Sequence, residues 1–240
     1  MANEEKVRIN KYLSISGLGS RRKCEQLVLE GRVRANGKLV SDLGFLVSQN
    51  DKISVDGEEC KPVAEFSYVM LHKPKGVITS MSDDKGRKTV IDIMPAEYKK
   101  LKPVGRLDYD SEGLLLLTND GDLAYNLTHP SREVNKTYVV KVEGEVKESQ
   151  LAVMRAGVVI DGVRLNKCKV KIIEKMTKHT KLEVVISEGR NRQVRKMFDA
   201  VGLNVVFLKR TQIGDLRLGG LARGASRLLS IEEVLYLKSL

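Results

Sequence analysis

Residues 105–120, GRLDYDSEGLLLLTND, set a short polar turn directly against a run of leucines. The turn carries Arg106, Asp108, Asp110 and Glu112, and Leu114 to Leu117 follow. Carboxylates held at the start of a buried strand suit nucleophilic attack, acid–base work or cation binding. A calcium loop is the first possibility to weigh. Asp108, Asp110 and Glu112 would take positions 1, 3 and 5, with Gly113 at 6. Position 12 is then Asn119 where a bidentate glutamate is required, and positions 7 to 11 fall on the leucine run. Calcium is excluded. A second cluster, SEGRNRQVRKMF (187–198), places Arg190, Arg192 and Arg195 around the start of a helix that follows an apolar strand. The helix dipole favours cations at the opposite end, so three arginines here call for an anion. An RNA phosphate would supply it, and so would a buried carboxylate, which points back to Asp108.

Other chemistries find less support. His72, His129 and His179 lie in different segments without ligand spacing, and no GxSxG elbow accompanies them. KMTKH (175–179) imitates a lysine-rich loop of some tRNA synthetases, but no nucleotide-binding half precedes it. Cys24, Cys60 and Cys168 are far apart, so neither a disulfide framework nor a zinc site is expected. The N-terminus has acids where a secretory signal would carry basic residues, and no apolar run approaches the roughly 18 residues of a membrane span. A cytoplasmic, membrane-free protein is the expectation.

The net charge of +11 favours a polyanionic partner, and its placement says more than its size. Residues 8–38 carry +6, residues 39–65 carry −4, and residues 186–227 carry +6 again. Two separated basic regions favour nucleic acid over an evenly solvated surface.

The elements that must position these residues follow from periodicity. Ile9, Tyr12 and Leu13 have helical spacing, and Ser20 is placed to cap a second helix over RRKCEQLVLE that Gly31 ends. Asn36-Gly37 suits a type I′ hairpin turn, and DKISVDG adds a strand, closing a helix–helix–hairpin unit near residue 57. Arg21, Arg22 and Lys23 start the second helix near Arg32 and Arg34, a disposition suited to a phosphate backbone. Residues 58–66 read as a polar linker. Beyond it, strands are expected at FSYVMLHKP, GVITS, 136–144, 165–174 and 180–189, with helices at 191–202 and after the capping box Ser230–Glu233. Strand-rich and sparsely helical, the pattern is α+β rather than a parallel βαβ repeat.

The first unit, with its helix pair and NG hairpin, resembles the S4-like RNA-binding domain. GRLDYDSEGLLLLTNDG resembles the first signature of pseudouridine synthases in the form used by the RsuA/RluB-type ribosomal RNA family. LHKPKGVITS, DKGRKTVIDIMP, HPSREVNKTYVVKV and EGRNRQVRKMF continue that likeness in the family's order, so that it covers nearly the whole chain. The resemblance implies an S4-like αL domain over 1–57 and a catalytic domain over 67–240 built on a mixed, largely antiparallel sheet with flanking helices. It implies isomerisation of uridine to pseudouridine in ribosomal RNA, a redox-neutral rearrangement that needs no cofactor, and nothing in the sequence demands more than a monomer. Asn191-Arg192, where small-subunit members tend to carry Tyr-His, and the spacing KGRKTVIDIMP lean toward a large-subunit target; a small-subunit target is the alternative.

By the same resemblance Asp108 is the nucleophile, Arg195 its partner and Tyr138 the residue that stacks on the target base. Arg106 fills the gap left by the flipped base. Lys73, Lys75, Arg190 and Arg192 are expected to hold surrounding RNA, and Arg8, Lys11, Arg21, Arg22, Lys23 and Arg34 a neighbouring helix. Asp110 and Glu112 are expected to anchor the turn. A non-catalytic RNA-binding assembly factor is the competing function, disfavoured by the intact Asp108, Tyr138 and Arg195.

Overall fold

The computed structural model describes residues 6–62 and 65–240. The first five residues, with the acids noted above, and the centre of the expected linker lie outside them. The chain forms two compact units that divide between Phe66 and Ser67.

In the first unit β1 (Val7–Arg8) leads into α1 (Ile9–Ile15) and α2 (Arg21–Leu29). Ser20 caps α2 by accepting from the Lys23 amide at 3.2 Å. β2 (Val33–Ala35) and β3 (Lys38–Leu39) form the hairpin, with Asn36 and Gly37 both at positive φ as a type I′ turn requires. β4 (Leu46–Val47) pairs with β1, β5 (Ile53–Val55) with β2, and β6 (Glu58–Glu59) with β5. The expected linker is therefore corrected at its start. Cys60 donates its amide to Ile53 O and accepts the Tyr12 hydroxyl on its own carbonyl, so residues 58–60 belong to this unit. Ile9, Leu13, Cys24, Leu27, Val33 and Ile53 are among its core residues.

The second unit is built on one mixed sheet, with a separate two-stranded ribbon. Its elements are β7 (Tyr68–Lys73), β8 (Lys102–Val104), β9 (Glu112–Thr118), α3 (Gly121–Thr128), β10 (Lys136–Glu143), α4 (Glu148–Ala156), β11 (Val159–Ile160), β12 (Val163–Arg164), β13 (Lys169–Lys175), β14 (His179–Ile186), α5 (Gln193–Asp199), β15 (Val205–Ile213), β16 (Leu216–Arg217), β17 (Ser226–Leu228) and α6 (Ile231–Ser239). The strand order is β13-β14-β10-β15-β9-β7-β17, with β8 on β9 and β16 on β15. β11 and β12 form the separate ribbon. Among the named strands of the described residues, only β9 with β15 is parallel. GVITS, expected as a strand, contributes a single bridge from Ile78 to Thr89. Its serine and threonine fold into a turn instead, where Thr79 Oγ1 serves the Leu107 backbone.

The leucine run is explained by burial on both faces of the sheet. Leu115 and Leu117 pack with Leu151, Met154, Met197 and Phe198 from α4 and α5. Leu114 and Leu116 face the other way, toward Leu123 and Leu127 of α3 and Leu237 of α6. α3 and α4 were not expected from periodicity, although Asp120 caps α3 by accepting two amides. Along one edge β9 pairs with β7 over residues 113–118; β15 meets Glu112 and Gly113, and β8 meets residues 116–118. The 105–111 turn thus springs from the fork where β8 and β15 diverge. Gly113 permits the fork: at φ +119 its absent Cβ would press on the Arg210 carbonyl oxygen and sit 2.6 Å from the Arg210 nitrogen.

Candidate active site

Five consecutive backbone carbonyls of the turn each have a donor. Leu107 O accepts from Thr79 Oγ1 at 2.8 Å and Tyr109 O from the Gly76 amide at 2.8 Å. Asp108 O and Ser111 O each accept from Lys73 Nζ at 2.9 Å. Asp110 O accepts from Arg195 Nη2 at 3.0 Å. Backbone fixed at this density leaves Asp108 little freedom beyond its own χ angles, which is the preorganisation a reacting carboxylate needs.

This arrangement corrects two expectations. Lys73 does not face RNA: it is fully buried, and its ammonium is saturated by Pro74 O, Asp108 O and Ser111 O. Burial pulls it down to about 8, against the opposing pull of the Asp108, Asp110 and Glu112 carboxylates. Arg195 does not pair with Asp108. Its Nη2 lies 3.1 Å from Asp110 Oδ2, and its Nη1 donates to Val205 O at 3.0 Å. The guanidinium that approaches the Asp108 carboxylate is Arg192, at 3.9 Å, while also binding Asp110 at 3.2 Å. The Asp110 carboxylate is the one within reach of α5, where both Arg192 at its start and the buried Arg195 contact it. Burial pushes Asp110 up, but hydrogen bonds from Arg192 and the charges of Arg195 and Arg192 outweigh it and hold the carboxyl below its ordinary value. Glu112 is the second anchor, buried and 3.1 Å from Arg223.

Asp108 opens onto a cleft of about 480 Å³ that also presents Arg106, Tyr138, Arg190 and Arg192. That volume is within the usual range of small-molecule sites, about 300–1,000 Å³. Arg106 is exposed at its wall, and Tyr138 is 8% exposed. Lys75 is not among the lining residues. Its ammonium sits 5.6 Å from the centre of the Phe207 ring and 3.4 Å from Val206 O. In the first unit Arg8, Arg21, Arg22, Lys23 and Arg34 are exposed and Lys11 is half-buried. Arg21 reaches Asn10 Oδ1 at 3.3 Å, and Arg34 reaches Gly37 O at 3.1 Å.

Family comparison decides what this cleft belongs to. A model of the RNA pseudouridylate synthase family matches residues 67–200, and an S4 domain model matches 7–53. The chain belongs to the RNA pseudouridylate synthase family. The synthase is 43% identical over 238 residues to "Ribosomal large subunit pseudouridine synthase B" of Bacillus subtilis (strain 168), covering 97% of this chain and 96% of that one. It is 40% identical to an RNA pseudouridine synthase of Aquifex aeolicus (strain VF5), over 96% and 93% of the two chains. A crystal structure described as a pseudouridylate synthase superposes with a TM-score of 0.71 at 31% identity, covering 96% of this chain and 99% of that one. No helix among the described residues of the synthase is long and apolar enough to cross a membrane.

Two cleft residues of the synthase escaped the sequence reading. Lys136 is two positions before Tyr138 on β10, so the period of a strand alone would have placed it on the same face as Tyr138. Arg210 lies in β15, a strand whose apolar pattern is interrupted by Lys209-Arg210 and which was not expected. Burial, with the nearby charge of Arg210, pulls Lys136 down to about 8.

Proposed function

We propose that this synthase converts a uridine of large-subunit ribosomal RNA to pseudouridine, acting as a monomer in the cytoplasm, with Asp108 as the nucleophile. The observation that carries the reading is the clamped 107–111 turn, which presents one carboxylate to a cleft that also holds Tyr138. The reaction breaks N1–C1′, forms C5–C1′, releases the C5 proton and protonates N1, so atoms balance without redox chemistry or an added group. Asp108 attacks a sugar or base carbon. Tyr138 lies against the base, and Arg106 occupies the space that an extruded nucleotide leaves. Arg192 is the guanidinium beside the Asp108 carboxylate; Arg195 and Lys73 hold the turn. Arg190, with Arg8, Lys11, Arg21, Arg22, Lys23 and Arg34 of the S4 unit, meets phosphates, and Lys75 does so from outside the cleft. The large-subunit assignment is supported by the name of the Bacillus subtilis relative. Three free cysteines suit a reducing compartment.

Tritium release from 5-tritiated uridine in large- and small-subunit transcripts tests the whole reading. Wild-type protein should release tritium from the large-subunit transcript only, and Asp108→Asn from neither. Release from the small-subunit transcript alone would overturn the target, and release by the variant would overturn the nucleophile.

A further inference from the structure

Lys136 and Arg210 stand on the side of the cleft that carries Tyr138. Lys136 and Tyr138 leave the same face of β10, because strand side chains alternate. Arg210 is the cross-strand partner of Tyr138 on β15; the register slip falls at the next residue, so it does not move Arg210 to the other face. All three side chains line the cleft. Arg210 is 5% exposed; its Nε donates to Leu114 O at 2.8 Å, while its Nη2 is buried with no partner. Among the described residues neither Lys136 nor Arg210 is paired with a carboxylate, unlike Arg192 and Arg195 nearby.

Two neighbouring cations, Arg210 buried and Lys136 half-buried, are costly unless something electron-rich arrives. The geometry of extrusion says what arrives. A flipped nucleotide sends its base edge to the interior of a cleft, while its phosphodiester stays with the strand outside. Uracil presents two carbonyl oxygens, O2 and O4. When N1–C1′ breaks, the bonding pair stays on the ring and spreads onto those oxygens. We propose that Lys136 and Arg210 form the subsite for the carbonyl oxygens of the target uracil, holding them more tightly once the ring is detached and negative. This deepens the proposed function and rests on it. Interaction that grows as charge develops lowers the barrier rather than merely improving binding. The same subsite discriminates against cytosine, whose C4 amino group would turn hydrogens toward the cations.

The test pairs a side-chain change with an atom change in the substrate. Lys136→Met keeps the side chain out to Cε and removes its charge, relieving the repulsion from Arg210, so its melting temperature should not fall. On a transcript whose target has been mapped by tritium release from wild type, Lys136→Met should lower kcat about a hundredfold. KM for RNA should stay within a few fold, and Lys136→Arg should recover part of the rate. Target uridine is then replaced by 2-thiouridine or 4-thiouridine, whose sulfur is a poorer acceptor, and separately the adjacent linkage by a methylphosphonate. One thio substitution should slow wild type and lose most of its effect in Lys136→Met, while the methylphosphonate effect should be equal in both. If the methylphosphonate effect is the one that disappears, the pair binds phosphate and the inference is wrong. Full kcat in Lys136→Met, or additive effects for both thio substitutions, overturns it as well. A wild type silent on unmodified RNA fails earlier and differently, since it removes the proposed function itself and the subsite with it.

Discussion

The two basic regions carry the same net charge and use it in opposite ways. At the start of α2, Arg21, Arg22 and Lys23 are exposed, and the contact seen for Arg21 is with neutral Asn10. Around the 105–111 turn the cations are tied to protein: Arg192 and Arg195 to Asp110, Arg190 to Glu188, and Lys73 to three carbonyls. Burial decides it for Lys73 and Arg195, whereas the exposed Arg190 and Arg192 are held by acids beside them. A cation in water keeps its charge available to a phosphate, whereas one removed from water must find its partners inside the fold. Counting charges along a sequence therefore finds basic regions but does not tell a binding face from an internal frame.

Variants can break this contrast or sharpen it. Asp108→Asn should have the largest effect, reducing tritium release to background while RNA affinity in filter binding stays within a few fold; a large affinity loss would mean that the carboxylate also organises the RNA-binding surface. Lys73→Met should come next, since it strands three carbonyls in a buried place, at roughly 3 kcal/mol by denaturant unfolding. An unchanged midpoint would show that Lys73 is not part of the frame. Arg21→Glu with Arg22→Glu should leave stability and kcat alone, but weaken RNA binding by about tenfold. It should also reduce the magnitude of the salt slope by about 0.7–0.9 for each phosphate that is no longer neutralised. An unaltered slope would put the RNA elsewhere. Asp110→Asn is the mildest, about 1–2 kcal/mol, because Asp110 is partly exposed and solvent screens the pairs. Its folded-state carboxyl is depressed, so the contribution is complete above the ordinary value of 3.8 and is lost as pH falls through the lowered value. Thermal melts of wild type should therefore drop more steeply below about pH 4 than those of Asp110→Asn; parallel curves would refute the pairing.

What was legible in the sequence was local. Ser20 as a cap, Asn36-Gly37 as a turn, the Ser230–Glu233 capping box and the doubly buried leucines all depend on residues within a few positions of one another. What was not legible depends on distance in the chain. The choice of Arg195 between Asp108 and Asp110 is made across 85 residues, and Lys73 reaches its carbonyls across up to 38. β15 hid because Arg210 breaks its apolar run, and that irregularity is the one that places a cation in the cleft.

Gly113 carries a consequence for how tolerance to change would be distributed along this chain. The parallel pairing of β9 with β15 covers only two residues on each strand, yet it joins the half of the sheet that bears Asp108 to the half that bears Tyr138. Any side chain at 113 would pry the halves apart, so a saturation scan should score this position as severely as Asp108, although it has no side chain to offer the RNA. A map of intolerance drawn on this protein would outline the seam as well as the chemistry, and reading it as a footprint of the substrate would place the RNA where there is only backbone.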